Sequence, residues 1–377
     1  MIIVTVILVA LDTLRVENTE SMELASNPKQ SPRIAELDAL RGLAALAVTV
    51  YALTTHFDDV FVRSRPLLFG FPYGEQGVPL FFMISGFVIF MTLERTKSVG
   101  DFALGRFSRL FPAFWASMLI TYSVVSTFGL PGSEVTIREL GLNATMMPRL
   151  LHARPVDWAY WSLEFELWFY AAMVVLYSLG AFQRIVKVLQ AWLVLAIISN
   201  AVLLYGDADS MLYRLMGKLK TLTSLEYIHL FAIGMIFYDV RRAGAWTRGH
   251  GVALACCVGI IFWTSTPVVG VVVCLLACLL YAAATSRLPF LNAKLLGWFG
   301  YISYPLYLIH QNIGFVILRW LDRLGWEPHL ALVATSAVVI GLAAAITYAV
   351  ERPGMRFIRD LKLRRGLVSS TPALSNS

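Results

Sequence analysis

The chain has 377 residues, 58% of them hydrophobic and only 15% charged, with a mean hydropathy of +0.68. A water-soluble domain carries closer to about 25% charged residues, so a soluble globular enzyme is excluded. The net charge of +7 does not point to nucleic acid, because basic residues between apolar blocks set the orientation of a membrane protein.

The apolar residues fall in blocks of roughly 18–24, the length that spans a bilayer core of about 30 Å. The pattern predicts an all-α integral membrane protein, a bundle of about ten transmembrane helices. Residues 1–11 are apolar but too short to span, and they lack the basic start of a signal peptide. Residues 12–32 are polar. The segment 1–33 therefore reads as a poorly ordered N-terminal piece, and a start at Met22 would remove its apolar part.

The spans expected are 39–57, 77–94, 111–129, 159–179, 186–205, 225–240, 251–266, 268–286, 296–320 and 329–350. Pro112 is placed in the first turn of the third, where proline is tolerated. Pro267 separates the seventh from the eighth, Pro305 should kink the ninth, and Pro353 should close the tenth. One transmembrane domain then covers 34–353, and 354–377 is a basic cytoplasmic tail. With the N-terminus in the cytoplasm, the inside segments hold 21 lysines and arginines and the outside segments 10. That excess places both termini inside. Neither GxxxxGK[ST] nor GxGxxG occurs, so nothing suggests a nucleotide-driven pump. Cys256, Cys257, Cys274 and Cys278 lie within apolar blocks and read as small packing residues.

Ionisable residues within spans carry the functional information. The stretch 34–57 organises them. It opens with Glu36, Asp38 and Arg41, runs apolar for three turns and reaches His56. Eleven residues after Arg41, on the same face and about 16 Å along the axis, stands Ala52. His56 follows one turn later. Arg106 and Arg109, spaced i, i+3, point one way at the start of the third span. Phosphate binding and simple anchoring are both open for this pair. Glu166 lies one turn from Ser162 and from Tyr170, and a carboxylate at that depth should face inward. Glu164 points elsewhere, toward the interface. His310, in the outer half of the ninth span, is either a helix–helix hydrogen-bonder or part of a site. His229 reads as interfacial, and Trp158, Tyr160, Trp161 and Trp168 as an aromatic belt.

Six segments in order resemble membrane acyltransferase family 3. They are 37–42 (LDALRG), 77–87 (GVPLFFMISGF), 106–112 (RFSRLFP), Trp161-Ser162-Leu163 with Glu166 and Phe169-Tyr170, Ile302-Ser303-Tyr304 through Tyr307 to His310, and Glu351-Arg352-Pro353. The resemblance implies a ten-helix bundle of the bacterial inner (plasma) membrane. It takes an acyl group, acetyl above all, from acyl-CoA on the cytoplasmic side. The group is passed to a hydroxyl of a polysaccharide, lipopolysaccharide, lipid-linked glycan, antibiotic or related acceptor. The expected partners are acyl-CoA as co-substrate, that acceptor and the lipid bilayer, with no bound cofactor, metal or nucleic acid. Arg106 and Arg109 would grip the CoA phosphates. Arg41 would stabilise charge near the thioester or pair with Glu166. His56 would be the base, with Glu166 or His310 orienting it or the acceptor.

Family members carry an essential histidine eleven residues after the arginine, where this chain has Ala52; the neighbours align without a gap. Three readings follow. His56 takes the role, the chain is a catalytically degenerate relative, or the alanine is a sequence-level change. A transporter is the competing class, but the paired broken-helix repeat it calls for is not found. The topology is checked by cysteine accessibility. Tags at position 100 and at the C-terminus label only from the cytoplasm, and one near 140 only from outside; outside labelling of the C-terminus overturns the arrangement.

Overall fold

The computed structural model describes residues 34–96 and 98–369, all of them helix, turn or loop, with no strand among them. The N-terminal readings over 1–33 lie outside the described residues. The helices are α1 (Ala35–Tyr51), α2 (Gly77–Arg95), α3 (Val99–Phe128), α4 (Ile137–Asn143), α5 (Trp161–Ser178), α6 (Ile185–Tyr205) and α7 (Met211–Leu222). They continue as α8 (Ile228–Ala243), α9 (Arg248–Thr264), α10 (Pro267–Ala284), α11 (Lys294–Ile309), α12 (Asn312–Arg323), α13 (Pro328–Ile346) and α14 (Arg352–Ser369).

Six helical segments among the described residues are long and apolar enough to cross a membrane: Ala35–Val60, Pro72–Arg95, Val99–Phe128, Ala181–Tyr205, Pro267–Ala284 and Pro328–Lys362. The other four expected spans are helical but shorter or more polar. The helix α5 carries Glu164 and Glu166, and α9 has 17 residues. All thirteen residues from Ile228 to Val240 in α8 are buried. Enclosed on every side, it does not have to match the lipid. The ninth span is two helices.

Two proline expectations, for Pro112 and Pro353, are corrected. Pro112 lies well inside α3 rather than in its first turn, because that helix starts at Val99, where the Ser98 side chain accepts from the Asp101 amide. The helix α11 runs through Pro305, and the break falls at His310 and Gln311. Pro353 does not end its helix. A π-helical turn at Thr347–Glu351 passes the chain into α14, whose first turn tolerates the missing N–H. A second π-helical turn, Ala52–His56, extends α1.

Two glycine contacts set the bundle. A Cβ added at Gly42 would lie 2.6 Å from the Gly300 nitrogen, and one at Gly300 would lie 2.3 Å from the Asp38 carbonyl oxygen. Helices α1 and α11 therefore touch backbone to backbone. Between α2 and α8, a Cβ at Gly234 would come within 1.8 Å of the Met83 oxygen, and one at Gly86 within 2.0 Å of the Phe231 oxygen. Small residues permit this close packing, which is the main cohesive contact between helices in lipid.

The long connection 130–158 is built rather than loose. Thr136 and Glu139 form a capping box at α4. The Arg154 guanidinium, 3.0 Å from Glu139, and the Thr136 groups hold that carboxyl down to about 2. Buried Asn143 donates to the carbonyls of Glu139 and Arg154, each at 2.8 Å, and accepts from the Val156 amide. Fully buried Asp157 then accepts from the amides of Ala159 (2.9 Å) and Asn312 (3.0 Å). One carboxylate thus satisfies backbone donors at the start of both α5 and α12. The segment after α6 also holds a helix, α7, with Met211, Leu212 and Leu215 exposed beside Arg214 and Lys218. Such a pattern suits the membrane surface.

Gly234→Ala should destabilise the protein by about 1–3 kcal/mol or more, the usual cost of overpacking. A lowered melting temperature in detergent checks it. Gly259→Ala, whose new Cβ meets nothing within 4 Å, serves as the neutral control.

Candidate active site

The close approach of α1 and α11 brings Arg41 beside Ser303, Tyr304 and Tyr307. With Ser85 of α2, Arg106 and Arg109 of α3, and Ser162, Glu166 and Tyr170 of α5, they line a narrow cavity of about 60 Å³. Glu166 Oε1 accepts from the Ser85 hydroxyl at 2.6 Å and the Tyr170 hydroxyl at 2.5 Å. Among the described residues Glu166 forms no ion pair, so the expected pairing with Arg41 is not made. Arg41 instead feels Glu166, Asp38 and Arg109 through space. Glu351 is buried under the charges of Arg109, Arg41 and Arg352, and its Oε2 accepts no hydrogen bond from the described residues. The buried Nε of Arg106 has no hydrogen-bond acceptor among the described residues, and its guanidinium carbon lies 5.7 Å from the Phe102 ring centre. A buried donor left open costs about 1–3 kcal/mol. The cavity thus sets three arginines against two carboxylates and holds an open donor, which favours an anion.

A second cavity, of about 410 Å³, lies further along α1 and is lined by Tyr51, Ala52, His56, Glu75, Gln76, Trp158, His310 and Gln311, among others. Ala52 and His56, four residues apart on one helix face, share this wall, and a π-helical turn spans them. The His56 ring stacks on Tyr51 with centroids 5.6 Å apart and tilts against Phe315 at 5.7 Å. No hydrogen bond fixes it among the described residues. His310 is different. It is buried at the break between α11 and α12, and its Nδ1 lies 2.7 Å from the Tyr307 carbonyl oxygen. Since a carbonyl only accepts, Nδ1 carries the proton and Nε2 keeps its lone pair.

Phe82 and Tyr307 line both cavities and divide them. The Tyr307 hydroxyl donates to the Ala159 carbonyl at 2.8 Å and pairs with the Ser162 hydroxyl at 2.7 Å. Phe82 packs against Phe231 and Tyr227 at 4.8 and 5.1 Å.

Residues 34–348 match the model of the acyltransferase domain of acyltransferase family 3. The chain belongs to this family. It is 25% identical to acyltransferase MdmB of Streptomyces mycarofaciens over 386 aligned positions, covering 92% of this chain and 96% of that protein. It is 28% identical over 153 positions to ORF330 of Acidianus two-tailed virus, whose name provisionally assigns an acetyltransferase; that match covers 41% of this chain and 43% of the viral protein. No solved structure matches. The chain is thus an acyl-transferring membrane protein of family 3.

Five of the six family-3 segments noted in the sequence line the arginine cavity, and the sixth supplies Glu351 beside it. His56 and His310 fall in the other cavity, apart from Arg41, Arg106, Arg109 and Glu166. Three sequence readings are corrected. Glu164 is buried rather than interfacial, with Arg149 at 3.4 Å. His229 is buried in the first turn of α8. Of the supposed aromatic belt, Tyr160 is buried and Trp161 packs on Phe82 and Tyr227, while Trp158 stays exposed. Ser85, Tyr304, Tyr307 and Asp157 are site or supporting residues not singled out individually. Their only signal was membership of the motif segments, which Asp157 lacks.

If Tyr307 is the divider, Tyr307→Ala should join the cavities. In a Ser162→Cys background, a membrane-impermeant thiol reagent added from the histidine side then labels position 162. Equal labelling with Tyr307 intact shows that the partition lies elsewhere.

Proposed function

We propose that this chain moves an acyl group, acetyl in the simplest case, from acyl-CoA to a hydroxyl of a carbohydrate or lipid-linked glycan. The donor occupies the arginine cavity and the acceptor the histidine cavity. The protein sits in the bacterial inner membrane as about ten spans, with both termini and the arginine cavity on the cytoplasmic side. The observation that carries this reading is the pair of cavities back to back: one cationic, the other holding a histidine of defined tautomer, with a single thin partition between them.

Arg106 and Arg109 grip the CoA phosphates, with Arg106 Nε supplying an open donor and the guanidinium forks giving bidentate contacts. Arg41 balances the donor's negative charge, and Glu166, held by Ser85 and Tyr170, orients it across the cavity. With the Tyr307 ring turned aside, the thioester end of the donor reaches the histidine cavity, where the acceptor hydroxyl loses its proton to His310 Nε2 as its oxygen forms a bond to the thioester carbon. The tetrahedral adduct collapses, the C–S bond breaks, and the leaving thiolate takes the proton back from His310. This removes the need for a histidine at position 52. The second reading, favoured by the shared wall of Ala52 and His56, gives the base role to His56.

Thiol release from acetyl-CoA by protein in nanodiscs tests the assignment. His310→Ala should lower turnover by about 10²–10⁴-fold, the usual contribution of a general base, with acetyl-CoA binding unchanged and His56→Ala near wild type. The reverse pattern transfers the role to His56. An inert wild type that Ala52→His accelerates about a hundredfold or more makes the chain a degenerate relative. On the donor side, Arg106→Lys should weaken acetyl-CoA binding about tenfold although the charge is kept. Unchanged affinity in Arg106→Ala reassigns the pair to anchoring.

A further inference from the structure

Beside the histidine cavity lies a third one, of about 300 Å³, lined by residues of α2, α6, α7, α8, α9 and α10. Gln76, Pro79 and Tyr227 line both, so the two are contiguous. That size stands at the lower end of the about 300–1,000 Å³ range of small-molecule sites. The edge they share is held in place, since Tyr227 packs against Phe165, Phe82 and Trp161 with centroids 4.8–5.2 Å apart.

The lining has the chemistry of a ligand site and not of a packing defect. His229 is only 6% exposed, and its Nδ1 is buried with no hydrogen-bond partner among the described residues. Leaving such a group open costs about 1–3 kcal/mol. Thr264 and Ser265 donate their hydroxyl protons to the carbonyls of Ile260 (2.8 Å) and Ile261 (2.6 Å). They therefore present lone pairs to the cavity. Asn200 and the Lys220 ammonium supply donors. Lys220 and Glu226, 4.0 Å apart, cancel in charge, so nothing here selects an ion. Closely mixed donors and acceptors without net charge match a group that gives and receives at every position, as sugar hydroxyls do.

We infer that this third cavity is a second acceptor subsite, holding the sugar unit next to the one acylated, so that the acceptor is a disaccharide or longer. The inference rests on the reading that a hydroxyl acceptor enters the histidine cavity. Binding energy gathered at the remote unit would position the reacting hydroxyl at His310.

The test uses full-length protein in nanodiscs on an array of mono- to tetrasaccharides, with acetyl-CoA binding measured in parallel. Retention should rise about tenfold from a monosaccharide to a disaccharide containing it. Asn200→Leu and Lys220→Met should each bring disaccharide retention down to the monosaccharide level, with acetyl-CoA affinity unchanged. Equal retention of the two sugars, or retention indifferent to both substitutions, overturns the subsite. Failure to retain any glycan also overturns it, and with acetyl-CoA binding intact it leaves the donor site standing. A wild type that does not bind acetyl-CoA instead sinks the reading beneath it.

Discussion

A charge inside an apolar bundle is tolerated only where the protein encloses it and answers it, and this fold is arranged around that requirement. Arg41, Arg106 and Arg109 meet Glu166 and Glu351 in a space walled by five helices. The wall closes because Gly42 and Gly300 let α1 and α11 approach at backbone distance, while Gly86 and Gly234 do the same for α2 and α8. Lipid provides little drive to bring apolar helices together, so these contacts decide which polar groups face one another. Larger side chains at those four positions would separate the helices and leave the arginines without their enclosure.

The same logic explains the irregular backbone. Both π-helical turns fall at positions that matter chemically, one spanning Ala52 to His56 and the other ending at buried Glu351. The break at His310 and Gln311 frees backbone groups at membrane depth, and Asp157 reaches in to satisfy the Asn312 amide. Irregularity of this kind survives within a membrane only where it is buried in protein or lines a cavity. Here it does so at each place, which ties the long connection 130–158 to the geometry around His310.

Much of this was legible in the residues. Helix type and most helix positions followed from apolar runs, and the cavity-lining arginines and Glu166 stood out because charge within a span demands an explanation. Other features were hidden for physical reasons. The helix α8 looks like a lipid-facing span by composition, yet burial on all sides comes from partners distant in sequence. His229 and Glu164 looked interfacial because a polar residue near a helix end has two destinations, and only tertiary packing chooses between them. The break at His310 and Gln311 had no proline to announce it, and it falls where Asp157 accepts from the Asn312 amide. The distance of His56 and His310 from the arginines followed from their places along the spans, but the partition between them did not, because Phe82 and Tyr307 come from helices far apart in the chain.

The partition also has a consequence for the membrane around it. Two wet chambers end to end would form a conduit, and a membrane that stores energy as an ion gradient cannot carry open conduits; each elementary charge that leaks gives up about 2.3 kcal/mol per 100 mV. Tyr307 has its hydroxyl committed to Ala159 and Ser162, so it is poorly placed to relay protons, and the Phe82 ring beside it offers none. With the partition closed, the bundle is therefore insulated at its waist and does not discharge the membrane that holds it.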